Sequence, residues 1–193
     1  MSGFTLKSNH ILTEQGFQAG YLTVEDGKIV SVSSLCQGGY EDLGDLSVYP
    51  GIIDIHNHGF GGWSMTDPCE EKDIRGYAKA LTTVGITGVL PTAKEAAFEA
   101  IASVMDQEYE GARVLGIHSE GPFWARGGEN TVGESWPAPS VKETERLVKL
   151  AGGKMAVMAL APEVPGAYEV IRYLHEHKIR GALCHTKAKA PDI

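Results

Sequence analysis

The sequence is poor in cysteine, in long apolar runs and in positive charge. Its three cysteines, Cys36, Cys69 and Cys184, are far apart, odd in number and outside any CxxC spacing. That argues against a disulfide framework and against a zinc site built on thiolates, and leaves reduced, buried thiols as the expectation. No apolar run approaches the ~18 residues of a membrane span, and the opening MSGFTLKSNH has no charged head followed by an apolar block. A membrane partner is therefore not expected, and a cytoplasmic location is. Lys and Arg number 17 against 25 Asp and Glu, a net charge of -8 spread along the chain. Without a basic face, nucleic acid is not an expected partner either.

What is present is enough apolar material for a core: 42% of 193 residues. Residues 1–49 read as strands. In GYLTVEDGKIVSVSS, two β-rich runs, Tyr21 to Glu25 and Lys28 to Ser33, flank Asp26-Gly27, a dipeptide suited to the positive φ angles of a two-residue hairpin turn. From Pro50 to residue 193, short apolar runs alternate with helix-start signals, the pattern of βα units around a parallel sheet. Asp67-Pro68 offers an N-cap before a helix that Gly85 can end, and Thr92 with Glu95 and Ser140 with Glu143 fit the capping box. A fourth helix is predicted over Ala167 to Lys178, with Val170, Ile171 and Leu174 on one face. Between these lie five strands: Ile52 to Ile55, Ile86 to Leu90, Arg113 to Ile117, Met155 to Leu160 and Arg180 to Cys184.

In βα folds the functional groups gather at the carboxyl ends of the strands. Four of the five ends carry histidine or glutamate: DIHNHG, GIHSEGP, LAPE and LCHTKA. His56 and His58 are two apart on a strand, so both imidazoles point to one side and can reach one ion. Spacing alone leaves a polar strand end without metal as the alternative. His175 and His177 have the same spacing on a predicted helix, where two residues are about 200° apart, and read as solvated. Glu120 follows His118 by two, just before Gly121-Pro122. Imidazole with carboxylate suits zinc, iron or manganese more than calcium, whereas Glu120 taken alone reads as a solvated turn residue. His118 sits deeper and reads as a packing or supporting group, His185 is a remaining candidate ligand, and Glu163 reads as a solvated loop carboxylate. Convergence of His56, His58, Glu120 and His185 on one face is the signal.

These residues resemble a known group. PGIIDIHNHG looks like the first-strand signature of the amidohydrolase superfamily, in which a small β-sandwich segment precedes a metal-bearing (β/α)8 TIM barrel. GIHSEGPF, LAPE and HTKA are similar in order and spacing to the N-acetylglucosamine-6-phosphate deacetylase family. The resemblance runs from about Tyr21 to Ala188. It implies an α/β fold with a β-sandwich segment over 1–49 and, over 50–193, the amino-terminal part of the barrel, with about five of eight strands. It also implies that Glu120 and His185 hold a principal divalent metal, zinc or iron, and that His56 and His58 can add a second ion. The implied reaction is metal-assisted removal of the acetyl group from N-acetylglucosamine 6-phosphate, giving glucosamine 6-phosphate and acetate, by a homodimer.

The departures matter as much. The family's general acid and base is an aspartate on the eighth strand, beyond residue 193, so no catalytic residue is assigned. Asp192 is penultimate, and Asp54 lies inside a strand, where it is expected to orient its neighbours. The ~140 residues after Pro50 fall short of the ~250 of a closed barrel, so the chain is expected to be a part of one or to need a partner. Where relatives usually carry a histidine, Glu129 or Asn130 stands here. Asn130 is a candidate substrate-binding residue, with a plain turn role for Gly127 to Asn130 as the alternative. Cys184 replaces the family's usual glycine before the histidine. A noncatalytic half-barrel that binds metal or sugar, and an amidohydrolase for another amide, remain the competing expectations.

Overall fold

A computed structural model describes residues 3–65, 69–128 and 135–190. The chain divides into two compact units, Met1–Gly51 and Ile52–Ile193.

The first unit is a five-stranded sheet of β1 (Gly3–Thr13), β2 (Gly16–Glu25), β3 (Lys28–Ser33), β4 (Glu41–Asp42) and β5 (Ser47–Val48). β1 and β2 pair antiparallel, as do β2 and β3, while β4 and β5 run parallel to β1. The hairpin expected at Asp26-Gly27 forms with φ of 48° and 74° at the two turn residues, the left-handed pair that matches the twist of the flanking strands. Ile11 and Leu22 are its buried apolar side chains. Among the described residues, no second sheet belongs to this unit.

The second unit begins with β6 (Ile52–Asn57), followed by a small hairpin of β7 (Gly59–Phe60) and β8 (Trp63–Ser64). Then come α1 (Glu71–Thr82), β9 (Ile86–Ala93), α2 (Glu95–Met105), β10 (Arg113–Val114), β11 (Ile117–Glu120), α3 (Val141–Leu150), β12 (Met155–Leu160), α4 (Ala167–Glu176) and β13 (Arg180–Leu183). Every pairing in the main sheet is parallel and a helix fills each crossover, so the strands stand side by side in chain order as a partial α/β barrel sheet. The helices earn their places by apolar spacing. α1 buries Ile74, Tyr77, Ala78 and Leu81, at the i, i+3, i+4, i+7 positions of one face. Full burial of each large aliphatic side chain stabilises by about 1.5–3 kcal/mol. No described helix is long and apolar enough to cross a membrane.

Three local expectations change. The third barrel strand is split: Leu115 N–H donates to Val89 O at 2.9 Å, and two residues later Ile117 N–H donates to Lys154 O at 2.9 Å, so pairing with β12 begins past Gly116 while pairing with β9 resumes at His118 and Ser119. A Cβ at Gly116 would lie 2.6 Å from the Ala156 methyl, so the close passage requires glycine. The first helix starts at Glu71, and its capping box is Glu70 with Asp73; Asp67-Pro68 lies outside the described residues. Thr92 does not cap α2, whose N-cap is Lys94; it is buried in β9, where its Oγ1 takes another bond described below. Ser140 does cap α3, accepting the Glu143 N–H at 3.4 Å.

Candidate metal centre

β6 delivers His56 within its last turn of strand and His58 one residue beyond its end. A polar net fixes this strand end. Asp54 accepts the His56 N–H at 3.1 Å through Oδ1 and the Asn57 amide at 2.9 Å through Oδ2. Asn57 donates its own N–H to Thr92 Oγ1 at 3.1 Å, and its Oδ1 accepts the Gly59 N–H at 2.8 Å. The T-x-x-E pattern that reads as a capping box therefore places Thr92 at a strand end, where its hydroxyl receives a neighbouring strand's amide instead. Asp54 orients the backbone of the histidine segment, the role expected of it.

Glu120, the last residue of β11, is the hub. Its Oε2 lies 3.1 Å from His58 Nε2, and its Oε1 lies 3.8 Å from His56 Nε2 and 3.4 Å from His185 Nε2. The side chains of His56 and His58 are 46% and 47% exposed against 18% for Glu120, so the centre is open on the β6 side and enclosed around the carboxylate. Donors bound to one tetrahedral zinc at about 2.0–2.3 Å stand about 3.3–3.8 Å from each other. The separations around Glu120 fall in or near that range. Two imidazoles and a carboxylate in one group, and a second group that shares the carboxylate, make a donor set fit for zinc or iron.

His118 supports the centre from below its neighbours. It is buried, its Nδ1 is 2.7 Å from Ile55 O, and its ring meets His56 edge to face at 4.9 Å between centroids. A carbonyl only accepts, so Nδ1 carries the proton and Nε2 is left as a lone pair with no hydrogen-bond partner among the described residues. Burial holds its pKa below the ordinary histidine value, against the Ile55 hydrogen bond that raises it. The ring is therefore neutral at pH 7.

His185 enters from the other side. β13 ends at Leu183, and His185 has φ 46°, a left-handed conformation that costs a non-glycine residue roughly 1–2 kcal/mol. Three contacts hold it there. Ala125 and Arg126 both donate backbone N–H groups to its carbonyl at 3.0 Å, and the Trp124 indole stacks on its ring at 4.2 Å between centroids. Two hydrogen bonds at about 0.5–1.5 kcal/mol each offset the backbone cost. Cys184, one residue earlier, has its thiol pKa pushed up to about 12 by burial and then by the Glu120 charge.

Sequence reasoning missed the role of Glu163. It is not a free loop carboxylate: it accepts Thr186 Oγ1 at 2.7 Å and the Lys187 N–H, tying LAPE to HTKA. Burial raises its pKa, but the bonds from Thr186 and from the backbone outweigh this and hold the carboxyl below its ordinary value. The two motifs are adjacent strand ends in a parallel sheet, which is the signal that they would meet. His175 and His177 lie far from this chemistry, and His177 stacks on Tyr173 at 3.9 Å. Asn130, Glu129 and Asp192 lie outside the described residues. A cavity of about 250 Å³ adjoins Glu120, walled by Phe98, Trp124, Trp136 and Leu147.

No family model matches the chain. Curated proteins do. The chain is 31% identical over 201 aligned positions to N-acetylglucosamine-6-phosphate deacetylase of Bacillus subtilis, covering 95% of this chain and 50% of that protein. It is 30% identical over 192 positions to N-acetylgalactosamine-6-phosphate deacetylase of Escherichia coli, covering 95% and 50%. The crystal structure of N-acetylglucosamine-6-phosphate deacetylase from Pasteurella multocida shares the fold at a TM-score of 0.80, with 20% identity over 99% of this chain and 53% of that one. The chain spans about half the length of the curated relatives it matches. Its resemblance to these deacetylases thus extends over nearly all of its length.

Proposed function

We propose that this chain carries the metal-binding part of an amidohydrolase that removes the acetyl group from an N-acetylated amino sugar 6-phosphate. The observation that carries the reading is the Glu120 carboxylate, faced by His56, His58 and His185 from two other strand ends. His185 and Glu120 would hold one divalent ion, zinc or iron, and His56 and His58 could add a second beside the same carboxylate. Bound there, such an ion would supply Lewis acidity toward an amide carbonyl and toward water. The chain's own residues do the rest of the arranging: Asp54, Asn57 and Thr92 fix the histidine segment, Trp124 fixes the His185 ring, and Glu163 fixes the loop after it. Trp124 and Trp136 give the neighbouring cavity an aromatic wall against which a sugar face can pack.

The sugar's identity stays at class level, because the relatives include enzymes named for both N-acetylglucosamine and N-acetylgalactosamine 6-phosphate. The aspartate that acts as general acid and base in the family has no counterpart among the described residues: Asp54 is already committed to His56 and Asn57. We also read the first unit as one layer of the expected β-sandwich, since Phe4, Ile29, Val30 and Val32 are exposed apolar side chains that a second layer would cover. The domain division at residues 49 and 50, the homodimer, the cytoplasmic setting and Asn130 as a sugar contact belong to the same reading. Net charge -8 supports the absence of nucleic-acid and membrane partners.

A second reading, a noncatalytic half-barrel that binds metal or sugar, is favoured by β6, where Ile52, Ile53 and Ile55 are 50%, 61% and 63% exposed. An acetate-release assay with zinc or iron separates the two. Release from either N-acetylhexosamine 6-phosphate supports hydrolysis; metal binding without release from either supports the half-barrel.

A further inference from the structure

Cys184 and His185 are consecutive, and on a continuing strand consecutive side chains point to opposite faces. Here they do not diverge. The left-handed turn at His185 folds the chain back at the end of β13, so that Cys184 Sγ, a His185 ring nitrogen and a Glu120 oxygen all lie within 4.8 Å of one another. The turn is held by the two backbone bonds to the His185 carbonyl and by the Trp124 stack, and Cys184 is fixed by its own N–H donating to Leu160 O at 3.1 Å. Among the described residues, neither Cys36 nor Cys69 belongs to a comparable group of potential ligands.

We propose that Cys184 is a metal ligand, its thiolate joining Glu120 and His185 in a sulfur, oxygen and nitrogen site for a thiophilic divalent ion of the zinc class. The proposal rests on the reading of Glu120 and His185 as ligands. His185 Nε2 and Glu120 Oε1, 3.4 Å apart, already stand at the separation of two donors on one tetrahedral ion. Closing the sulfur onto the same ion takes a side-chain movement on the order of an ångström. On binding, the S–H bond breaks, the proton passes to solvent and the sulfur lone pair forms the metal–sulfur bond, with no change of oxidation state. Thiolate softens the donor set, so the site should favour zinc, cobalt and cadmium over magnesium. Three protein donors also leave a fourth position for water or substrate.

Cobalt(II) titration of the chain tests this by absorption spectroscopy. The wild type is expected to develop the near-ultraviolet sulfur-to-cobalt charge-transfer band. Cys184→Ser should lose it and bind zinc about tenfold or more weakly, whereas a Cys36→Ser, Cys69→Ser double variant should keep it. Circular dichroism of each variant confirms folding, and Cys184→Ala serves as a second replacement. Cobalt bound without the band, or a band that survives in Cys184→Ser and Cys184→Ala, overturns the thiolate ligand and leaves Glu120 and His185 standing. If neither cobalt nor zinc binds at all, both readings fall together.

Discussion

His56 and His58 stand two residues apart, and so do His175 and His177, yet the pairs end in different chemistry. At the end of β6, both imidazoles face one carboxylate, at 3.8 and 3.1 Å. At the end of α4, His177 turns back on its own helix, stacked on Tyr173 with Nδ1 2.8 Å from the Tyr173 carbonyl. Spacing acquires meaning only from the backbone period: 180° per residue aligns i and i+2, and 100° per residue opposes them. The second difference is support. The β6 pair has Asp54, Asn57 and Thr92 holding its main chain, and a buried His118 behind it; the α4 pair is exposed, and the contacts of His177 described above are to Tyr173 of its own helix.

The comparison breaks most sharply at the hub. Glu120→Gln removes the charge that all three facing histidines share while keeping the shape, and zinc affinity measured by chelator competition should fall by roughly 100-fold or more. Next in size, replacing His56 and His58 with alanine should weaken binding about tenfold or more and lower the bound stoichiometry. The matching replacement of His175 and His177 should leave both unchanged and shift stability by no more than about 0.5 kcal/mol. Equal effects from the two pairs would erase the distinction drawn between them. A smaller effect is expected from Asn57→Ala, which removes a donor and an acceptor from the strand-end net: about tenfold in metal affinity and about 1 kcal/mol in urea denaturation.

The smallest effect is the most specific in pH. The Glu163 carboxyl titrates below its ordinary value in the folded chain, so its contribution is present above the unfolded value of about 4.3 and is lost as pH falls through the lower folded value. Wild type should therefore exceed Glu163→Gln in stability at pH 7, and the gap should close on acidification below about pH 4. A gap independent of pH would mean that Glu163 acts through packing and not through its charge.

Much of this was legible in the sequence, and the limits have physical causes. Asp26-Gly27 specified its hairpin because the turn's φ angles demand such residues, and apolar runs located the strands because a covered parallel strand must be apolar on both faces. Thr92 misled because a hydroxyl three residues before a glutamate satisfies either a helix amide or, from a strand end, the amide of the next strand. Gly116 gave no sign of the break in its strand, since closeness to Ala156 is a property of the sheet. Glu120, His56, His58 and His185 could be grouped because strand ends share a face. Cys184 could not, because its approach to Glu120 depends on a left-handed histidine whose supports, Ala125, Arg126 and Trp124, come from another loop.

The most direct test of the Glu120 centre is an anomalous difference map from crystals of the chain grown with zinc and measured at the zinc absorption edge. The expected result is a peak within bonding distance of Glu120 and His185. A map with no peak there, or with peaks only at surface carboxylates elsewhere, would contradict the metal centre and with it the proposed chemistry.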